Sequence, residues 1–197
     1  MIVRYEYHAH SIQRECAMTF LTNPFFWAFI SMFAVLASSQ IVGNKKLGRH
    51  PIFGFIVVAT FALGRVILVL PSLPQPRFEI GGWHWLIGGF IFALGMIFSL
   101  PALTIRPFTV PDEKIKLKTT GFYSIVRNPL YLAEVLWCLG WSIMFRSAIG
   151  VLLVPFWWAS LLFITMIEEE NLERKLGQPY LEYKQRVKSR IIPGLPI

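Results

Sequence analysis

Five apolar runs separated by polar segments dominate the pattern of hydrophobic and polar positions along this chain. The longer runs approach the roughly 18–20 apolar residues that an α-helix needs to cross a bilayer. The fourth run is shorter, about 24 Å of helix at 1.5 Å per residue, so we expect it to be tilted or shallow. The pattern predicts an all-α integral membrane protein with five transmembrane helices, at residues 24–42, 51–70, 83–100, 130–145 and 148–167.

The last two apolar runs are separated only by Arg146 and Ser147. A connection this short makes two consecutive helices antiparallel neighbours. We therefore predict a tight C-terminal helical hairpin in the membrane. A charged, amphipathic tail follows it from residue 168 and ends in a helix-breaking pattern around Pro193.

Composition agrees with a membrane protein of a single integrated domain. Hydrophobic residues make up 55% of the 197 positions and charged residues only 15%, with a mean hydropathy of +0.55. We expect residues 1–100 to supply a lead-in, which lacks the features of a signal peptide, and three helices. Residues 101–197 would supply a loop, the hairpin and the tail. Cys16 and Cys138 lie in different environments and no Cys/His spacing resembles a zinc site, so we expect neither a disulfide framework nor a metal.

Basic residues predict the orientation of the helices. The net charge of +8 is carried mostly by loop 43–50, segment 101–129 and the tail after residue 167, which hold three, five and six Lys or Arg residues. The opposite side has four: Arg4, Arg14, Arg77 and Arg146. Because Lys and Arg accumulate on the cytoplasmic side of membrane proteins, we expect the N-terminus outside and the tail in the cytoplasm. The same rule accounts for the positive charge without a nucleic-acid partner.

Candidate chemistry is concentrated where segment 101–129 meets the fourth apolar run. Gly121 is suited to break the preceding structure, and Asn128 followed by Pro129 is a typical helix start, with Asn as the cap and Pro at the first helical position. The first turn of such a helix directs free N–H groups and a partial positive charge towards the polar side. This end of the helix could hold a carboxylate or phosphate, or could simply be an ordinary capped entry to a membrane helix.

Three consecutive acids follow directly on the fifth apolar run. Like charges at a helix C-terminus repel one another and oppose the helix dipole. We expect Glu169 to be solvated and Glu170 to pair with Arg174 one turn later. Glu168 is nearest the lipid, and we predict that it is the carboxylate that binds a ligand.

These pieces together resemble a known family of integral membrane methyltransferases. The family is typified by isoprenylcysteine carboxyl methyltransferase and includes phospholipid N-methyltransferase-like members. The resemblance covers residues 100–197 and rests on motif residues with fixed spacing, namely Gly121, Tyr123, Arg127, Pro129, Tyr131, Glu168, Glu169, Leu172, Gly177, Tyr180, Tyr183 and Pro193.

The resemblance implies a cofactor, S-adenosyl-L-methionine, bound at the cytoplasmic end of the hairpin. It also implies methyl transfer to a lipid or lipid-anchored acceptor. From their positions at the start of the hairpin, Glu134 and Arg127 are our catalytic candidates. In-line alignment and exclusion of water would supply most of the catalysis. The family's cofactor contacts carry over to Lys116, Leu117, Lys118, Tyr123, Asn128, Pro129, Leu130, Tyr131 and Glu168.

Departures from the family pattern bear on the acceptor. Asn128 stands where many members have His, Ala133 replaces a Gly and Leu176 replaces a Phe. Ile164 stands where members that methylate an isoprenylcysteine carboxylate have an Arg one turn before the first Glu. The resemblance therefore favours an amine acceptor, such as an aminolipid headgroup, over a prenylcysteine carboxylate.

Two charged residues lie inside predicted membrane helices. Arg65 is about 9 Å of helix from the outer end of the second helix, and we expect it to extend outward to water. A functional role is the alternative, since an arginine within a membrane helix is costly. Glu134 lies one turn into the hairpin, where it could pair with Arg127 or contact the acceptor.

Two other functions remain compatible with the sequence. Sterol reductases of related architecture share an Arg-His-Pro-Asn-Tyr-x-Gly-Glu motif, in which Glu134 matches the acidic residue, and they would require NADPH. A non-catalytic membrane binding protein that retained the fold is the other alternative.

Overall fold

The computed structural model describes residues 19–43, 51–104 and 117–196, and this part of the chain is helical. An isolated bridge between Arg77 and Ser147 is the one β-type contact recorded among these residues, and they contain no strand. The prediction of an all-α fold is confirmed for these ranges. The helices are α1 (Pro24–Gly43), α2 (Pro51–Leu68), α3 (Trp83–Thr104), α4 (Pro129–Met144), α5 (Ala148–Leu176) and α6 (Gln178–Arg186), with a 3₁₀ turn at Gly121–Ser124.

Each predicted apolar run corresponds to a helix, and the largest difference lies at the end of α5. This helix continues nine residues beyond the apolar run, so the three consecutive acids lie on a helix rather than in a loop. Leu, Glu, Arg and Lys are good helix formers, which explains why the helix survives the change from apolar to charged sequence. It ends at Gly177, whose φ of 61° few other residues adopt readily.

Two helices of the described ranges are long and apolar enough to cross a membrane. They are Trp83–Leu100 within α3 and an 18-residue stretch of α5, with mean hydropathies of 1.7 and 2.0. Only 11% and 28% of these stretches are buried, so most of their side chains face outward. Large apolar side chains such as Phe90 and Phe156 are more than 60% exposed. Shorter apolar stretches lie in α1, α2 and α4.

The predicted hairpin is present, with α4 and α5 joined through Phe145, Arg146 and Ser147. Arg146 adopts a φ of 56°, and the Ser147 hydroxyl caps α5 by accepting from the Gly150 N–H at 2.9 Å. Arg77 lies in the preceding loop and donates to the carbonyl oxygens of Leu70, at 2.7 Å, and Phe145. The turn of the hairpin is thereby tied to the end of α2.

Small residues bring α3 and α4 into close contact. A Cβ added at Gly140 would lie 2.4 Å from the backbone nitrogen of Phe92, and one added at Gly95 would lie 2.7 Å from that of Trp137. Gly88 meets Met144 in the same way. Membrane helices use small residues to let backbones approach, because lipid supplies little hydrophobic force between them. This contact fixes α3 against the hairpin that carries the candidate site.

The close α3–α4 contact predicts different effects for two glycine substitutions. Gly140→Ala should lower the free energy of unfolding by about 1–3 kcal/mol, since the methyl group meets backbone that cannot rotate away. Gly89→Ala is the matched control, because an added Cβ there meets nothing within 4 Å. Unfolding in detergent, followed by circular dichroism, measures both. Equal stability of the two variants would contradict this account of the packing.

Candidate functional site

The segment before α4 and the C-terminal tail run alongside each other. The backbone N–H groups of Arg127 and Asn128 donate to the carbonyl oxygens of Ser189 and Arg190, both at 2.9 Å. Val126 and Ile191 are buried at this junction. Gly121, with a φ of 65°, begins the 3₁₀ turn that leads into the segment. The tail therefore holds in place the start of α4, where the candidate residues lie.

A buried carboxylate, Glu169, joins these two segments to α5. Its oxygens accept from Nε and Nη2 of Arg127 at 2.8 and 3.2 Å, and from Nε of Arg190 at 3.2 Å. The side chains of Arg127 and Glu169 are 5% and 3% exposed. The expectation that Glu169 is solvated was wrong, because two guanidinium groups replace the water it would otherwise need. Glu170 does pair with Arg174, at 3.6 Å on the exposed face of α5.

Arg127 is held on all sides by structural partners. Besides Glu169, its Nη1 donates to the carbonyl oxygens of Val187 and Lys188 at 2.7 and 2.8 Å. A guanidinium has five N–H groups, and Arg127 donates four hydrogen bonds, two to Glu169 and two to these carbonyl oxygens. The predicted catalytic residue is thus a buried crosslink between α4, α5 and the tail.

Asn128 occupies the N-cap position of α4 but does not cap it with its side chain. Its Nδ2 donates instead to Glu169 Oε1 at 3.2 Å and to the Arg190 carbonyl at 3.3 Å. The expectation of a side-chain cap was wrong: the two bonds made by Nδ2 set the orientation of the amide, and Oδ1 accepts from no N–H group of the first turn. Pro129 is the first residue of the helix, as predicted.

Glu168 has a different environment from its neighbour. Tyr131 donates its hydroxyl to Glu168 Oε1 at 2.8 Å, and both side chains are partly buried. Tyr123 is close enough to be affected electrostatically: burial, and secondarily the Glu168 carboxylate, raises the pKa of Tyr123. Lys118 Nζ lies 5.6 Å from the centre of the Tyr123 ring. We call Leu117, Lys118, Tyr123, Tyr131 and Glu168 the Glu168 cluster.

The Glu168 cluster rests on the aromatic face of α6. Leu117 and Tyr123 pack against Tyr180, Tyr183 and Val187. The Tyr183 hydroxyl also donates to the Tyr123 carbonyl oxygen at 2.8 Å. Tyr180 and Tyr183 of the tail therefore hold Leu117 and Tyr123 of the cluster in place.

The remaining predicted contacts differ in placement. Pro129 is buried in the first turn of α4, and the Leu130 side chain is 47% exposed beside it. Lys116 lies outside the described residues. Within the ranges that the structure describes, no three His, Cys, Asp or Glu side chains are grouped as a metal site would require.

Arg65 and Glu134 form an ion pair inside the helix assembly. Arg65 Nη1 lies 3.2 Å from Glu134 Oε1, and the arginine side chain is 1% exposed. The expectation that Arg65 extends outward to water was wrong, and so was the pairing of Glu134 with Arg127. Arg65 is the one Lys or Arg and Glu134 the one Asp or Glu in the five predicted membrane runs, and this was the signal available in the sequence.

The buried position of Glu169 predicts that two neighbouring acids differ in importance for stability. Glu169→Gln should lower the free energy of unfolding by about 3 kcal/mol, because it leaves the buried Arg127 and the partly buried Arg190 without a counter-charge. Glu170→Gln should change it by less than about 0.5 kcal/mol, since the pair with Arg174 is exposed. Thermal unfolding in detergent compares the two variants. A larger loss for Glu170→Gln would contradict the assignment of Glu169 as the structural acid.

Comparisons with known proteins show which family this chain belongs to. A sequence model described as phospholipid methyltransferase matches residues 80–179, which contain α3 to α5, Arg127 and the three acids. Protein-S-isoprenylcysteine O-methyltransferase B of Arabidopsis thaliana is 29% identical over 195 residues, covering 90% of this chain and 93% of the relative. Phosphatidylethanolamine N-methyltransferase of Rattus norvegicus is 28% identical over 155 residues, covering 69% and 73%. No solved structure matches. The resemblance inferred from the motifs is confirmed, and the chain belongs to the phospholipid methyltransferase family.

Proposed function

We propose that this protein transfers a methyl group from S-adenosyl-L-methionine to a lipid or lipid-anchored acceptor at the cytoplasmic face of a membrane. The observation that carries the proposal is the Tyr131–Glu168 hydrogen bond within the family-matched segment, with Tyr123 and Lys118 beside it. A carboxylate, two phenol rings and a cation together suit a ligand that bears an ammonium, hydroxyl groups and a carboxylate. Both named relatives are methyltransferases, one for isoprenylcysteine and one for phosphatidylethanolamine.

The Glu168 cluster fits such a methyl donor by its chemistry. A carboxylate can accept about four hydrogen bonds, and Tyr131 supplies one, so Glu168 keeps capacity for an ammonium or for ribose hydroxyls. The phenol rings attract a cationic sulfonium, which when bound makes the methyl group electrophilic. Lys118 and the N–H groups at the start of α4 favour a carboxylate. We propose donor contacts at Lys116, Leu117, Lys118, Tyr123, Asn128, Pro129, Leu130, Tyr131 and Glu168.

We propose that Arg127 and Asn128 act by positioning. Their side chains are bonded to Glu169 and to tail carbonyls, so they fix the start of α4 rather than reach the reacting atoms. Methyl transfer needs an in-line approach of the acceptor, and a displacement of about 1 Å can cost about a hundredfold in rate. The bonds of Arg127 and Asn128 to the tail and the bond between Tyr131 and Glu168 therefore serve the chemistry by fixing the start of α4 against α5.

We propose that the chain crosses the membrane five times, with its tail in the cytoplasm. The lengths of α1 and α2, 20 and 18 residues, support this, as does the excess of fourteen basic residues over four between the two sides. Residues 1–100 and 101–197 would act as one unit, which the close α3–α4 contact supports. A reporter fused after residue 197 should be active in the cytoplasm, and activity only outside would refute this topology.

We further propose that an amine headgroup is the acceptor. Ile164 is buried and uncharged, so no positive group is available at that position to hold a carboxylate. Glu134 lies one turn along α4 from Tyr131, and its carboxylate form favours an ammonium. An amine must lose a proton before it can attack, and Glu134 is the carboxylate placed to accept it. The acceptor would approach from the bilayer, along the outward-facing apolar surfaces of the helices.

The amine acceptor predicts the chemical stability of the product. Membranes that contain the protein, incubated with methyl-labelled S-adenosyl-L-methionine, should yield labelled lipid that survives alkali, because N-methyl groups are not hydrolysed and methyl esters release methanol. Glu170→Gln should retain this activity, and membranes without the protein give the background. Base-labile label as the main product would replace the amine with a carboxylate acceptor.

A further inference from the structure

The Arg65–Glu134 pair is enclosed more on the arginine side than on the carboxylate side. Arg65 is 1% exposed, whereas the Glu134 side chain is 19% exposed. The guanidinium carbon lies 3.4 Å from the centre of the Phe61 ring and 4.8 Å from that of Trp157. Nε of Arg65 donates to the Ser31 hydroxyl of α1 at 3.3 Å. The Arg65 guanidinium is thus held in place by its surroundings, whereas part of the Glu134 side chain remains accessible.

The charge state of Glu134 depends on Arg65. An isolated carboxylate in a low-dielectric site is costly, and without a counter-charge it would take up a proton instead. The groups facing Glu134 that bear or can bear charge are Arg65 from α2 and, on its own helix, Tyr131 and Cys138. From α5 the nearest acid is Glu168, which lies beyond Tyr131 and is bonded to it. Arg65 is therefore the one permanent cation at this position among the described residues.

The pair also lies next to the Glu168 cluster. Glu134 follows Tyr131 by three residues on α4, so the two side chains are neighbours on one face of the helix. Tyr131 is bonded in turn to Glu168. Glu134 therefore lies beside Tyr131, which belongs to the proposed donor site.

We propose that Arg65 is a positioning residue that keeps Glu134 ionised and aimed at the acceptor, so that Glu134 can bind an alkylammonium headgroup and accept its proton. This inference rests on the proposed function. The N–H⁺ proton passes to the Glu134 carboxylate, which becomes a carboxylic acid. The nitrogen lone pair then forms the N–CH₃ bond, and the electron pair of the broken S–CH₃ bond stays on sulfur. The fixed positive charge of Arg65 favours later release of the proton from Glu134.

The first test is the pH dependence of methyl transfer in Arg65 variants. Removing the cation in Arg65→Gln should move the acid limb of kcat/KM to higher pH by about one unit or more. At neutral pH the rate should fall about tenfold or more and recover as the pH rises, with the KM for the donor unchanged. Arg65→Lys should keep the acid limb near its original position. An equal loss at every pH would mean that the pair is only structural.

A double variant separates charge from stability. Arg65→Gln combined with Glu134→Gln leaves no unpaired buried charge, so it should fold better than Arg65→Gln alone. It should nevertheless remain inactive, because the proton acceptor is gone. Methyl transfer by the double variant at the original rate would overturn the proposal.

Infrared difference spectroscopy tests the charge of Glu134 without requiring activity. At neutral pH, comparison of the original protein with Glu134→Gln should show no protonated carboxyl band at this residue. Arg65→Gln should acquire such a band, and the double variant should lack it. A protonated band in the original protein would overturn the inference. If the original protein methylates no lipid, the proposed function fails, while this spectrum still decides whether Arg65 holds Glu134 ionised.

Discussion

The burial of the Glu169 carboxylate is the constraint on which the candidate site depends. It sits 2% exposed at the charged end of α5, where a lone carboxylate would be strongly unfavourable. Arg127, Asn128 and Arg190 all donate to it, from the segment before α4 and from the tail. Removing Glu169 or Arg127 from this group should cost about 3–5 kcal/mol, since the other charge remains buried. These contacts therefore fix the start of α4, the end of α5 and the tail relative to one another.

Three consecutive acids on α5 have three different environments. Glu169 faces inward to the guanidinium groups, Glu170 faces water beside Arg174, and Glu168 lies between them, bonded to Tyr131. Because successive residues on an α-helix point about 100° apart, a run of identical residues is distributed over three faces. One acid is structural, one lies on the exposed surface, and the third, Glu168, is the carboxylate that we propose binds a ligand. The repulsion within the run is offset by the cations that surround Glu169.

The sequence predicted the parts of the fold that depend on local chemistry. Pro129 at the start of α4, Gly121 at a positive φ and the short turn at Arg146 and Ser147 are encoded by residues close to one another in the chain. Partners far apart in sequence were predicted less well. Arg65 was assigned to water because its distance from the helix end can be counted, whereas its contact with Glu134 depends on how α2 packs against α4.

The amide of Asn128 illustrates the same limit. Its position before Pro129 predicted a helix cap, and the backbone does begin the helix there. The amide is oriented by Glu169 instead, because the hydrogen bond that Nδ2 donates to a buried carboxylate is charge-assisted, and Oδ1 then makes no cap bond. Local sequence signals give the place of a residue in a helix. They do not predict which of the groups that come close on folding will be the hydrogen-bond partner of its side chain.

Binding of S-adenosylhomocysteine, measured by calorimetry on the purified protein, tests most directly whether the Glu168 cluster is the donor site. The account predicts binding to the original protein and to Glu170→Gln, and affinity about ten- to a hundredfold weaker for Glu168→Gln, as expected for one lost charge-assisted hydrogen bond. Thermal unfolding of the ligand-free variants should remain close to that of the original protein. Equal affinities for the two variants, or binding of NADPH in place of S-adenosylhomocysteine, would contradict it.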